Sequence, residues 1–420
     1  MRKMNEKVAL SGLKVLEYAD SISGPYCARL LGDLGAEVIK IERPGSGDSA
    51  RQRGPFLGDV PGLERSGLFM ALNTNKLGGT INIRNPEGLV IFKKLVEWAD
   101  VLIQNRSIRA MEELNLDYDR LKALNPRLIM TSITPFGQTG PYKDRIGTDL
   151  VICQMSGMGH MTPDRVANPQ ENPPLRLGGN QSDFLAGTTA TVATMFAVLA
   201  REVNGSGQHV DVSELEALAS FMRIEMCAYT HDPYGFYQRY AKRNPTGYGA
   251  VGYTPCKDGF VALGCREEYQ WRAFMEEVLG PEWTKDKRIE GIFPDPEKWD
   301  MYALLAHWDT VRPIVEKWSM QYTRGEIYRI ARMRNIPLAP CNSIPDLFAS
   351  EHLAAREYFV EVDHPVGRLP YPGAPFKLSV TPWTIRRPAP RLGEHTEEIL
   401  CGILGYSSEE VARLKESGAI

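Results

Sequence analysis

No run of about 18 or more apolar residues interrupts this 420-residue sequence, so no membrane-spanning helix is expected. The opening MRKMNEKVAL lacks the apolar stretch and small-residue cleavage site of a secretory signal. The seven cysteines (27, 153, 227, 256, 265, 341 and 401) are odd in number, scattered and free of any CxxC pair. That pattern predicts neither a disulfide framework nor a zinc site, and it suits the reduced thiols of a cytoplasmic protein. The seven histidines show no HExxH or other ligand spacing, so no metal is expected. There is no G-x-S-x-G elbow and no phosphate-binding P-loop, which removes serine-hydrolase and NTPase chemistry. A formal net charge of -3 offers no basic surplus for a nucleic-acid partner. Internal repeats and low-complexity linkers are also missing.

What is present is the composition of a globular enzyme, 43% hydrophobic and 24% charged. The length predicts two domains. Leu13–Tyr18 reads as a strand, Tyr26–Leu34 as a helix opened by Gly24-Pro25 and closed by Gly35, and Ala36–Glu42 as a second strand. Strand, helix and strand within about 30 residues make a βαβ unit and a parallel sheet. The theme recurs with a helix at Glu87–Trp98 and strands at Val101–Gln104 and Arg127–Ser132. A long helix from about Leu185 to Arg201 is followed by a strand at Gln208–Val212. Residues 225–300 are rich in aromatics, Pro and Gly, with a hairpin signal at Asp258-Gly259. The boundaries expected are a large domain of residues 1–205 and 345–420, a linker over 206–224, a small domain over 225–330 and a return linker over 331–344.

Several segments could carry chemistry. The loop after the first strand, Asp20–Pro25, has one glycine where a dinucleotide fingerprint has three, so that reading fails although Glu42 ends the second strand. Arg43, just beyond it, could hold a phosphate or stack on adenine at the carboxyl edge of the sheet. Leu72–Lys76 (LNTNK) has the small hydrogen-bonding side chains and lysine of a phosphate loop. Asn105, Arg106 and Ser107 follow another predicted strand. Asp183, in GGNQSDFLAG, stands where a Gly-rich loop enters the long helix. Asp183 or Ser182 could cap that helix, and the helix end and loop amides could keep a catalytic carboxylate there ionised.

Together these segments resemble the family III CoA-transferases, the formyl-CoA transferase and carnitine CoA-transferase group of CaiB/BaiF type. The matching stretches are Leu10–Arg43, Asn73–Lys76, Gln104–Ser107, Gln154–Gly157 (QMSG), Ser182–Gly187 (SDFLAG) and Gly205–Val212 (GSGQHVDV), followed in the tail by GAPFKLS and LGEHTEEIL. Asp183 precedes the Gly205–Gln208 turn at the interval by which the nucleophilic aspartate precedes it in formyl-CoA transferase. The resemblance implies an α/β fold: a Rossmann-like large domain with a parallel sheet built from both chain ends, a smaller α+β domain, and two protomers interlocked as a dimer. It implies Asp183 as nucleophile in moving CoA from an acyl-CoA to a free carboxylic acid, with no tightly bound cofactor. It also implies CoA contacts from Ser23, Arg43, Asn73, Thr74, Asn75, Lys76, Asn105, Arg106, Ser107 and Thr148.

Some positions depart from the family. Glu112-Glu113 stand where a basic residue is common, and GYGAVG (247–252) is shorter than the tetraglycine loop of formyl-CoA transferase. The α-methylacyl-CoA racemases of the same family place a catalytic histidine in Gly-His-Asp. Here the triplet is Gly147-Thr148-Asp149, and threonine is no base at neutral pH. Tyr229, Tyr234, Phe236, Tyr237 and Tyr240, beside Arg239, Lys242 and Arg243, suggest an acyl wall for an aromatic or dicarboxylic acid, or else a packed core or dimer interface. Met155, Met158 and Met161 fit an adaptable acyl surface or ordinary packing equally.

Overall fold

The computed structural model describes residues 8–162, 171, 173–231, 252–265, 267–289, 292, 307–364 and 367–420. Six strands form one all-parallel sheet: β1 (Lys14–Tyr18), β2 (Glu37–Glu42), β3 (Lys76–Thr80), β4 (Val101–Gln104), β5 (Ile129–Thr134) and β6 (His209–Ser213). Their order is β3-β2-β1-β4-β5-β6, a doubly wound arrangement. The helices of this region are α1 (Ser23–Asp33), α2 (Gly67–Leu72), α3 (Pro86–Trp98), α4 (Ile108–Glu113), α5 (Tyr118–Leu124), α6 (Asp149–Met155), α7 (Gln181–Asn204) and α8 (Glu214–Ala219).

The short strands are largely buried, the charged Glu17, Lys40 and Lys76 included, because helices cover both faces of the sheet. Leu16, Ile39, Leu102 and Met130 pack with Phe92 and Leu95 of α3 on one face. Val15, Val38, Val101 and Ile129 pack with Leu31 of α1 and Ala186 and Ala190 of α7 on the other. Each such fully buried aliphatic side chain is worth about 1.5–3 kcal/mol relative to exposure. Gly187 sets the spacing of α7 on α1, because a Cβ there would lie 2.7 Å from the Ser23 carbonyl oxygen.

The chain divides into two compact units. The first comprises Met1–Asp164, Pro173–Arg223 and Arg356–Ile420, so it draws on both chain ends. Its parallel sheet does not: all six strands come from residues 14–213, which corrects the expectation of a sheet built from both ends. The tail packs on the sheet instead. Pro390 sits where a Cβ on Gly78 would be, at 2.7 Å, and the Gly78 amide donates to Nδ1 of His395. Ile399, Leu400, Val411 and Leu414 join the core, and an antiparallel hairpin of β10 (Phe359–His364) and β11 (Gly367–Pro372) lies between. Residues 206–224, expected as a linker, hold β6 and α8 of this unit.

The second unit comprises Arg165–Asn172 and Ile224–Ala355. Its β7 (Gly252–Cys256) and β8 (Gly259–Leu263) make the expected hairpin at Asp258-Gly259, and β9 (Leu338–Pro340) adds a third antiparallel strand. That strand lies within residues 331–344, expected as a return linker. Trp271, Phe274, Val315 and Ile327 are in its core. Of the supposed acyl wall, residues 234–243 lie outside the described residues.

Candidate active site

A cavity of about 380 Å³ opens at the carboxyl ends of β1, β4, β5 and β6. The strand order reverses between β1 and β4, and open α/β sheets bind ligands at such a reversal. Ser21 and Ser23 after β1, Asn105 after β4, Pro135 after β5 and Glu214 after β6 line it, together with Thr148, Asp149, Asn180 and Asp183.

Asp183 stands in the first turn of α7, three residues past the N-cap. The cap position belongs to Asn180, whose backbone is left-handed at φ 57°, so neither Asp183 nor Ser182 caps the helix. Asn180 Nδ2 donates to Asp183 Oδ2 at 3.2 Å. The Ser182 amide and hydroxyl both donate to Asp149 Oδ1, at 3.1 and 2.6 Å. Asp149 thereby fixes the first turn of α7 and takes a backbone amide that Asp183 was expected to use. The consequence reverses the electrostatic expectation. Burial and the charge of Asp149 push the Asp183 carboxyl up to about 6, against the smaller pull of Asn180 and Arg53. Glu214, 6% exposed, is pushed up to about 7 by burial and by Asp183 and Asp149, with a hydrogen bond from Ser23 opposing.

The expected CoA contacts fall into three groups. Ser23, Asn105 and Thr148 line the cavity with Asp183. Asn105 is held there by two hydrogen bonds with the Asp20 backbone, at 2.8 and 2.6 Å. Arg43 and Arg106 converge on Asp20 Oδ2, at 3.3 and 3.0 Å. Arg43 is exposed, whereas Arg106 also lies over the Tyr18 ring. Ser107 caps the short helix α4 through Ala110 N.

The third group, Asn73 to Lys76, is buried away from the cavity, which corrects the reading of LNTNK as a phosphate loop. Lys76 begins β3, and its ammonium contacts Glu17 Oε2, the Pro25 carbonyl and Asn73 Oδ1 within 2.9 Å. Asn75, at φ 63°, bonds Asp33 and the 384–387 backbone. Thr74 reaches Asp33. These side chains hold the tail and α1 to the sheet.

Sequence reasoning missed Glu214, Asn180, Arg53 and Arg176. Glu214 had a usable signal, since it directly follows the strand His209–Ser213. An acid in the first turn of a helix also answers the helix dipole, and that masks it. Arg53 donates from Nη1 to Ser21 Oγ at 3.1 Å and from Nη2 to Asn180 Oδ1 at 3.3 Å. Arg176 Nε stands 3.6 Å from Asp149 Oδ2. Among the described residues no group of acids, histidines and cysteines could hold a metal ion.

A family model described as CoA-transferase family III matches residues 10–396. The beta subunit of succinyl-CoA–L-malate CoA-transferase from Chloroflexus aurantiacus is 32% identical, over 98% of this chain and 98% of its own. Human succinyl-CoA:glutarate CoA-transferase is 30% identical over 99% of this chain and 91% of its own. A CaiB/BaiF family protein from Brucella suis superposes with a TM-score of 0.82 at 29% identity, covering 94% of this chain and all of that one. With that match along nearly its whole length, the chain belongs to CoA-transferase family III and is a CoA-transferase.

Proposed function

We propose that the enzyme moves CoA between carboxylic acids through covalent intermediates on Asp183. One observation carries this reading: a single cavity at the sheet's switch point holds a carboxylate that burial has made more basic than usual. With its carboxyl at about 6, Asp183 remains mostly ionised above neutral pH, yet is a stronger nucleophile than a solvated aspartate.

An Asp183 oxygen attacks the thioester carbonyl of the donor, and the C–S bond breaks to give a mixed anhydride and CoA thiolate. The thiolate attacks the Asp183 carbonyl of that anhydride, releasing the donor acid as carboxylate and leaving an aspartyl-CoA thioester. The acceptor carboxylate then displaces CoA thiolate from Asp183, and the thiolate attacks the acyl carbonyl of the second anhydride. New acyl-CoA leaves and the Asp183 carboxylate returns. Asn180 orients the attacking oxygen, and Asp149 fixes the turn that carries it. Ser23, Asn105 and Thr148, which line the cavity, would meet the CoA thiol end, and Arg43 and Arg106, paired with Asp20, would meet its phosphates.

An interlocked dimer in the cytoplasm completes the proposal. Helix α7 is long and apolar enough to cross a membrane by length and composition alone, but one face packs on α1 and the sheet. Its other face exposes Phe196, Leu199 and Val203, a surface suited to a second protomer. The free cysteines suit a reducing compartment.

The test is intact mass after incubation with a panel of acyl-CoAs, with and without hydroxylamine. A hydroxylamine-sensitive adduct on the Asp183 peptide, absent from Asp183→Ala, supports the scheme. Exchange of α-deuterium on an acyl-CoA without CoA transfer would replace it with the racemase alternative.

A further inference from the structure

We infer that Arg53, aided by Arg176, binds a second carboxylate on the acyl group, so that this CoA-transferase acts on dicarboxylic acids. The inference rests on Asp183 as the reacting group and concerns what lies one short chain away from it.

Arg53 and Arg176 are the two cations among the described residues lining the cavity. Two residues before Arg53, Arg51 shows what a structural arginine does here. It is fully buried, pairs with both oxygens of Glu42 and with Glu64, and donates to the Leu63 and Pro390 carbonyls. Arg53 is exposed, and its two hydrogen bonds go to neutral acceptors, Ser21 Oγ and Asn180 Oδ1. Among the described residues it has no carboxylate within ion-pair distance. A guanidinium carries five donors in a fork that matches a carboxylate, so three remain uncommitted among the described residues. The backbone beneath it is fixed, since Ser66 Oγ donates to the Arg53 carbonyl at 2.6 Å and Arg53 N to Ala50 O at 3.1 Å.

Its position relative to the nucleophile is also specific. Asn180 accepts from Arg53 and donates to Asp183, so one amide side chain separates the guanidinium from the reacting oxygen. An acyl carbon at Asp183 would therefore leave an anion two or three methylenes away within reach of Arg53.

The charge around the cavity calls for such an anchor. Asp149, Asp183 and Glu214 would repel an incoming dianion. Arg176 offsets Asp149 only loosely, at 3.6 Å, and Asp149 Oδ2 has no hydrogen-bond partner. The Arg53 guanidinium would offset that repulsion for a distal carboxylate, a need that an uncharged chain does not have.

The test compares rates of Asp183 acylation by succinyl-CoA and glutaryl-CoA with those by butyryl-CoA and pentanoyl-CoA, in wild type, Arg53→Met, Arg53→Lys and Arg176→Met. Wild type is expected to favour the charged chains. The charged-to-uncharged ratio should fall about 10- to 100-fold in Arg53→Met, the loss typical of a hydrogen bond to a charged group. Arg53→Lys should recover part of it as a point charge without the fork, and Arg176→Met should lose less. An unchanged ratio, or a wild-type preference for uncharged chains, overturns the inference while an Asp183 adduct leaves the underlying scheme standing. So does a matched loss for both chain types together with weaker binding of free CoA, which would make Arg53 a CoA contact. No adduct from any donor removes the Asp183 scheme and this inference with it.

Discussion

Two sets of charged side chains border β1, and they differ in balance. Glu17, Lys40, Asp48 and Lys76 form one, two acids and two lysines with fully buried side chains and ion pairs of 2.7 Å. Lys40 stands opposite Glu17 in the strand register, so the sheet itself sets that pair. Burial pushes the Glu17 carboxyl up, but Lys40 and Lys76 outweigh it and hold it below its ordinary range. Burial and the nearby Lys40 bring Lys76 down to about 8, still largely charged at neutral pH. Asp149, Asp183 and Glu214 form the other set, three acids beside a cavity with Arg176 at 3.6 Å as the ion-pair partner of Asp149. Breaking a balanced buried set leaves an uncompensated charge that costs stability, whereas carboxyls pushed up beside an opening mark a candidate reactive site.

The largest effects should separate the two sets. Asp183→Ala is expected to lose about 10³-fold or more in CoA transfer, with its thermal midpoint retained or raised at neutral pH, because the variant also sheds a charge whose carboxyl burial and Asp149 push up to about 6. Steady-state transfer rates and a melting curve check both halves. Lys76→Met should do the opposite. It removes one of the two cations paired with the buried Glu17 and costs about 3–5 kcal/mol of stability. Urea unfolding should show the loss, and adding Glu17→Gln should restore part of it.

That comparison also explains what sequence reasoning reached. The βαβ start and the α/β class followed from apolar spacing, and Asp183 became the candidate nucleophile through the family resemblance. β3 did not follow from spacing, because Lys76–Thr80 (KLGGT) carries two glycines that weaken a strand signal. Their purpose is visible only with the tail in place, where Pro390 and Ile399 occupy the space of the missing side chains. Lys76 looked like a phosphate ligand because its partner Glu17 is 59 positions away and two strands across the sheet, with β2 between. Glu214 was overlooked for a related reason: its neighbours Ser23, Asp149 and Asp183 come from three distant segments.

A smaller effect tests the site set alone. In the proposed scheme Asp183 attacks as the carboxylate, so donor acylation should fall about tenfold per pH unit below pH about 6. Asp149→Asn keeps an acceptor for Ser182 while deleting a charge that raises Asp183. Its acid limb should move to lower pH, read from acylation rates between pH 4.5 and 8.

The smallest effect concerns stability. Glu214 is pushed up to about 7 when folded, from an ordinary value near 4.5. Between those values the folded protein binds more protons than the unfolded chain, so this group lowers stability as pH rises and its full penalty is present above pH about 7. Glu214→Gln removes the charge and keeps an oxygen to accept from Ser23. It should therefore stabilise the protein at pH 8, by about 1–3 kcal/mol, and by little at pH 4.5, where the buried carboxyl is already protonated. Melting curves of wild type and variant at the two pH values give the answer. An equal shift at both would mean the gain is packing rather than charge, and would place Glu214 with the balanced set instead of the reactive one.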